Sequence, residues 1–124
     1  MTIARQRLGR RAETLVAARL QRAGWRIVAR NFRTRYGEID VIALDGATLV
    51  FVEVKAGRAD SELGPERPAH AVGPRKQLQI RRMAREWLAG GNSPSAVAGY
   101  RFDVVGVSFS GDRLADVDHI RNAF

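Results

Sequence analysis

A chain of 124 residues with 21 basic and 13 acidic side chains, a formal net charge of +8 and 45% hydrophobic residues has the size of one domain that can bury a core unaided. It contains no cysteine, which excludes disulfides, thiolate zinc sites and cysteine nucleophiles and suits a reducing cytoplasm. Its apolar runs are only strand-sized and its arginine-rich start lacks the apolar segment of a signal peptide, so no membrane span is expected and the cytoplasm is the default location.

Leu8, Ala12, Leu15, Val16, Leu20 and Ala23 form one apolar stripe that predicts a helix over residues 8–23, with Gly24 as its stop. Glu13 lies at the edge of that stripe, where it either reaches over a sheet or serves as an ordinary glutamate favoured by the helix dipole. Residues 25–30 read as a first strand. They lead through Asn31, Phe32, Arg33, Thr34, Arg35 and Tyr36, where basic and aromatic residues interleave as they do around nucleic-acid backbones and unstacked bases.

Residues 37–44 and 49–55 then predict a hairpin around Asp45-Gly46-Ala47-Thr48, since Asp-Gly between β-branched apolar runs supplies the positive φ that tight turns need. Alternation puts Glu38, Asp40 and Ile42 on one face of the first strand and Leu49, Phe51, Glu53 and Lys55 on the same face of the second. A four-residue loop sets Asp40 directly opposite Glu53, and a two-residue loop sets it diagonal. Carboxylates facing each other in a half-buried sheet repel unless something neutralises them. An oxygen-only ligand set with room for water and a phosphate suits Mg²⁺ or Mn²⁺ rather than zinc. A solvated strand face is the alternative, but Ile42, Leu49 and Phe51 lie among the charges.

From residue 57 to 73 the composition turns to Gly, Pro, Ala, Asp and Glu without periodicity, which predicts a mobile loop. Pro74 opens a second helix to about residue 88, with Ile80, Met83, Ala84, Trp87 and Leu88 on its buried stripe. Lys76 projects inward from its first turn, as part of a phosphate seat or as a snorkelling side chain. Gly90 to Pro94 break the chain, residues 100–109 form the next strand, and about 114–120 form the last. Asp103 pairs with Arg101 or adds a ligand, and His119 shows no partner in the sequence.

The charge is unevenly placed. Residues 1–35 carry ten arginines against one acid, Glu13, whereas residues 36–124 carry eleven basic and twelve acidic residues. With the second cluster of Arg75, Lys76, Arg81, Arg82 and Arg85, two basic tracts flank an acidic centre, a pattern suited to holding a polyanion over a metal. Of the 21 basic residues only Lys55 and Lys76 are lysine. A compact, deprotonatable ammonium is not equivalent to a guanidinium, so both lysines are candidates for specific roles.

Glu13 in a first helix, Gly37-Glu38-Ile39-Asp40, and Phe51-Val52-Glu53-Val54-Lys55 in the following strand resemble the PD-(D/E)XK, restriction-endonuclease-like superfamily. More closely, the chain resembles the YraN-like family of small bacterial proteins described as endonucleases. Gly9-Arg10-Arg11-Ala12-Glu13, Asn31-Phe32-Arg33, Arg101-Phe102-Asp103-Val104-Val105 and Ile120-Arg121-Asn122-Ala123-Phe124 extend the likeness over nearly the whole chain. The proline that precedes the superfamily's aspartate is absent, with Ile39 in its place.

The resemblance implies a single α/β domain over residues 1–124, with a central mixed five-stranded sheet flanked by helices. It also implies Asp40, Glu53 and the Val54 carbonyl as ligands of Mg²⁺ or Mn²⁺, with Glu13 added as in Holliday-junction-resolvase-like members. Lys55 is then the group that orients water or stabilises the phosphate in transition; the basic tracts and the basic–aromatic run make Arg10, Arg11, Arg33, Arg35, Tyr36, Lys76, Arg81 and Arg82 the expected nucleic-acid contacts. The expected function is metal-dependent hydrolysis of phosphodiester bonds in DNA, including branched or structured DNA. The alternative is a non-catalytic nucleic-acid-binding module of the same fold acting in repair, recombination or uptake. A single-site domain of this size needs a second copy to cut both strands, which makes a homodimer compatible with the reading.

Overall fold

The computed structural model describes residues 2–61 and 67–124. Helix α1 (Ile3–Arg22) begins ahead of the apolar stripe because the Thr2 hydroxyl accepts the Arg5 N–H at 3.2 Å and caps the first turn. Five strands follow the expected order: β1 (Arg26–Thr34), β2 (Gly37–Asp45), β3 (Thr48–Arg58), β4 (Gly99–Ser110) and β5 (Arg113–Ile120), with α2 (Pro74–Ala89) between β3 and β4. Pro74 opens α2, where its missing N–H costs nothing.

The strands form one mixed sheet in the order β1-β2-β3-β4-β5. β1, β2 and β3 are an antiparallel meander, β3 and β4 run parallel across the α2 crossover, and β5 returns antiparallel. The architecture is α/β, a five-stranded mixed sheet between two helices, consistent with a restriction-endonuclease-like fold. Among the described residues no helix is long and apolar enough to cross a membrane.

Each helix covers one face of the sheet. Ala12, Val16 and Leu20 of α1 pack on Val41, Ala43, Val50, Val52, Val105, Val107 and Phe109, while Ile80, Met83, Ala84 and Trp87 of α2 pack on Ile39, Ile42, Leu49 and Phe51. Alternation along β3 therefore holds: Val50 and Val52 face α1, Leu49, Phe51 and Glu53 face away from it. The hairpin turn is Gly46-Ala47, with Asp45 paired to Thr48 and Gly46 at φ 59°. This keeps the register of the four-residue reading, with Val41 opposite Val52, so that one further step would set Asp40 against Glu53.

Of the stretch 57–73 read from sequence as a mobile loop, residues 62–66 lie outside the described residues. Gly57 and Arg58 belong to β3, and Pro68–His70 form one 3₁₀ turn whose Ala69 is buried. Gly106, opposite Lys55 in the parallel ladder, makes room for that turn: a Cβ there would lie 2.6 Å from the Ala69 nitrogen. Because the obstruction is backbone, Gly106→Ala should destabilise the fold by about 1–3 kcal/mol in urea unfolding.

A polar knot ties β4 and β5 to the start of the sheet. The Asp103 carboxylate, fully buried, accepts from Arg101 Nε at 2.8 Å, His119 Nε2 at 2.8 Å and the Asn122 N–H at 3.0 Å. Burial raises its pKa, but these hydrogen bonds and the Arg101 charge outweigh burial and hold it below the usual carboxylate range. Arg101 also reaches Asp45 at 3.2 Å, and Arg101 and Arg121 stack on the Trp25 ring at 5.3 and 5.6 Å. Asp103 is thus a structural counter-ion, paired with Arg101 as one of the two sequence readings had it. Asp103→Ala would leave Arg101 Nε, His119 Nε2 and the Asn122 N–H without their acceptor and should cost about 3–5 kcal/mol in denaturant unfolding.

Candidate metal centre and basic cleft

The ladder between β2 and β3 ends at Val41 and Val52, and the site lies where the strands part. There the Asp40 side chain accepts the Val54 N–H at 2.8 Å, a carboxylate standing where a strand carbonyl would otherwise be. Ile39 and Ile42 both pack on the α2 side although they are three residues apart, so β2 breaks its alternation in this segment. The expectation that Glu38, Asp40 and Ile42 share one face is corrected accordingly: Glu38 and Asp40 turn toward Glu13 of α1, while Ile42 enters the α2 core. The cause is the lost ladder, because face alternation is enforced only while both neighbours pair.

Carboxylate oxygens of Glu13, Glu38 and Asp40 lie within 4.8 Å of one another. The Asn31 side chain binds two of them, its amide nitrogen donating to Glu13 Oε1 at 2.7 Å and Glu38 Oε1 at 3.1 Å. Asn31 does so from a left-handed backbone, φ 52°, which asparagine tolerates better than most residues. Arg33 Nε flanks Glu38 at 3.4 Å. Glu53, 5% exposed, approaches Asp40 from β3, and its Oε2 ion-pairs with Lys76 Nζ of α2 at 3.4 Å, a charge contact rather than a hydrogen bond.

This crowding shows in the acid itself. Burial, then the hydrogen bond and charge of Glu53, push the Asp40 carboxyl up to about 9, with Glu13 adding to the rise and only the Val54 N–H opposing it. The carboxyl groups of Glu13 and Glu38 beside buried Asp40 form a hard oxygen donor set, and Glu53 adjoins it through its contact with Asp40. Such a set fits Mg²⁺ or Mn²⁺.

Of the ligands implied by resemblance, Asp40 and Glu13 come together, Glu53 contacts Asp40 without joining the Glu13 cluster, and the Val54 backbone reaches Asp40 through its N–H rather than its carbonyl. Glu38 joins Asp40 and Glu13. Sequence reasoning had it on the acidic face but gave it no ligand role, and its Gly-Glu-x-Asp spacing was the available signal. Asn31 was also missed, since nothing in a single asparagine before a phenylalanine announces a left-handed bend. Lys55 is half-buried and lines a neighbouring cleft of about 450 Å³ with Arg5, Arg67 and Pro68.

The basic residues divide into separate groups. Arg10, Arg30 and Arg33 line a cleft of about 380 Å³ together with Glu13, Asn31 and Glu38, so guanidinium groups border the acids directly. Arg35 and Arg82 both stack on Tyr36, at 5.0 and 4.8 Å, and Arg35 donates to its hydroxyl at 2.7 Å, which draws the phenol below its ordinary pKa. Arg11 lies over Phe109 at 5.0 Å, and Arg81 over Phe102 and Phe124 at 4.9 and 5.6 Å, so these two are placed apart from the acidic cleft.

Fold and site together define an α/β domain with restriction-endonuclease-like architecture and carboxylates gathered where two central strands diverge. The chain belongs to the UPF0102 family: residues 12–107, which include all the acids of the cleft, match the model of the uncharacterised protein family UPF0102. A UPF0102 protein of Geobacter metallireducens is 44% identical over 124 residues, covering 100% of this chain and 97% of its own length. One from Rhodococcus jostii is 47% identical over 118 residues, 94% of this chain and 95% of its own, and one from Anaeromyxobacter dehalogenans 45% identical over 121 residues, 97% and 85%.

Proposed function

We propose that the protein is a divalent-metal-dependent endonuclease of the PD-(D/E)XK type acting on DNA. The observation that carries this reading is the convergence of Glu13, Glu38 and Asp40 at one point, with buried Glu53 against Asp40. A purely structural role gives no reason to hold Asp40 against Glu13, Glu38 and Glu53 with no basic partner of its own among the described residues.

Asp40, Glu53 and Glu13 would hold Mg²⁺ or Mn²⁺, with Glu38 as a further oxygen donor. Such an ion supplies charge stabilisation to a phosphodiester and makes water a competent nucleophile near neutral pH. Asn31 fixes Glu13 and Glu38 by donating to both, and the Val54 N–H fixes Asp40. Lys76 neutralises part of the Glu53 charge, and Lys55, on the same strand face two residues on, is the cation available to a phosphate entering from the adjoining cleft. Arg10, Arg30 and Arg33 attract the backbone to the acids, which would otherwise repel it.

The test is cleavage of linear, single-stranded and branched DNA in Mg²⁺ and Mn²⁺ by wild type and by Lys55→Ala. Cleavage that Lys55→Ala lowers by about a hundredfold or more, with DNA affinity retained, supports the assignment. Folded wild type that cuts none of these substrates, while binding DNA with or without divalent ions, would identify a non-catalytic binding module instead.

A further inference from the structure

Helix α2 covers β2 and β3 but leaves the start of β4 around Tyr100 uncovered on the same face. The result is a groove of about 360 Å³ floored by Phe51 and Phe102 and walled by Arg81 and Arg85 of α2 and Tyr100 of β4. Tyr100 is 59% exposed, an unusual position for a large aromatic at the mouth of an apolar groove. Phe51 and Phe102 stack at 5.4 Å and Phe124 stacks on Phe102 at 5.2 Å, with Arg81 over Phe102, so the base of the groove is a rigid aromatic stack and Tyr100 is its exposed ring. An aromatic groove with guanidinium groups on its wall suits a flat, uncharged ring joined to an anion. A nucleobase and its phosphate have this chemistry.

The groove is aligned with the acidic site. In the parallel ladder Glu53 is opposite Val104, Phe51 opposite Phe102 and Leu49 opposite Tyr100. Tyr100 is therefore four residues along the strands from Glu53, roughly 13 Å. Along α2, Lys76 touches Glu53 and Arg85 borders the groove nine residues later, again about 13 Å. That distance is about four base steps at B-form spacing. Bases in a paired duplex are stacked face to face and cannot offer a ring face to Tyr100. A base that enters the groove is unpaired.

We infer that this groove holds an unpaired nucleobase of the strand whose phosphate lies at Asp40 and Glu53, with Tyr100 stacking on the base and Arg85 contacting the adjacent phosphate. The inference rests on the nuclease reading and narrows its substrate class to DNA with a single-stranded segment beside the cut, such as splayed or branched ends.

Fluorescence anisotropy with an oligothymidylate and with a blunt duplex, both in EDTA so that nothing is cut, tests it separately from catalysis. Wild type should prefer the single strand. Tyr100→Ala should weaken single-strand binding at least about fivefold, the loss of one base stack, and leave duplex binding unchanged, whereas Tyr100→Phe should retain it. Arg85→Ala should lower affinity and flatten the salt dependence of the single-strand complex. Tyr100 is exposed, so these variants are expected to fold. Equal affinity of wild type and Tyr100→Ala for the single strand overturns the inference. So does a dimer in sedimentation equilibrium that Tyr100→Ala disperses, which would assign the groove to a second copy. Should wild type cut no substrate while the Tyr100 discrimination persists, the nuclease reading falls and the groove stands.

Discussion

Replacing Asp40 by asparagine should abolish the proposed cleavage and leave the ion-free protein more stable than wild type. The two effects have one cause. The substituted side chain keeps an oxygen to accept the Val54 N–H that Asp40 accepts at 2.8 Å, and its amide can donate to Glu53, so the packing of the strands survives. What is lost is a carboxyl group that the folded chain must keep protonated beside Glu53 and Glu13, whereas the unfolded chain releases that proton. Cleavage should fall at least about a thousandfold, the rate equivalent of the several kcal/mol that a metal-held phosphate receives. Stability at pH 8 should rise by at least about 1.4 kcal/mol, the worth of one pH unit of the Asp40 displacement. Kinetics and urea unfolding of the same preparation check both. Asp40 differs in this way from Asp103, whose loss costs stability because its partners are donors rather than acids.

The second large effect is on pH dependence. Asp40 titrates near 3.8 in the unfolded chain and is pushed up to about 9 in the fold, first by burial and then by Glu53. Between those values the folded state binds a proton that the unfolded state has released, so the stabilising contribution is complete below about pH 4 and is lost as pH rises toward 9. Ion-free protein should therefore lose up to about 1.4 kcal/mol per pH unit from this group across the neutral and mildly alkaline range. Asp40→Asn should flatten the slope. Mn²⁺ should do the same for wild type, because a divalent ion replaces the proton as the neutralising charge and binds only the folded arrangement. Thermal melting at a series of pH values, with EDTA or with Mn²⁺, measures the slope.

The sheet was legible because each strand carries its own pattern and the Asp-Gly turn marks the hairpin. What was not legible is where alternation stops. Glu38, Asp40 and Ile42 look equivalent by period two, but the ladder ends at Val41 and the carboxylate of Asp40 takes over a backbone role, which turns Glu38 toward α1. A strand that leaves its neighbour has no sequence signature of its own. Asn31 follows the same logic: its left-handed φ and its two carboxylate partners depend on β1 and α1 meeting over β2. His119 had no visible partner because the diagonal contact to Asp103 is set by the register of β5, in which Val105 lies opposite His119. Charge counting found the basic tracts but could not separate Arg10 and Arg33, which border the acids, from Arg11 and Arg81, which lie over aromatic rings.

The centre of the mechanism is the claim that the carboxylates around Asp40 are a divalent-cation site. Calorimetric titration of folded protein with Mn²⁺, wild type against Asp40→Asn, addresses it without any assumption about substrate. One ion should bind per wild-type chain, and the asparagine variant should bind at least about tenfold more weakly, the loss expected when one ligand charge is removed from such a site. No binding to wild type, or equal binding to both proteins, would contradict it.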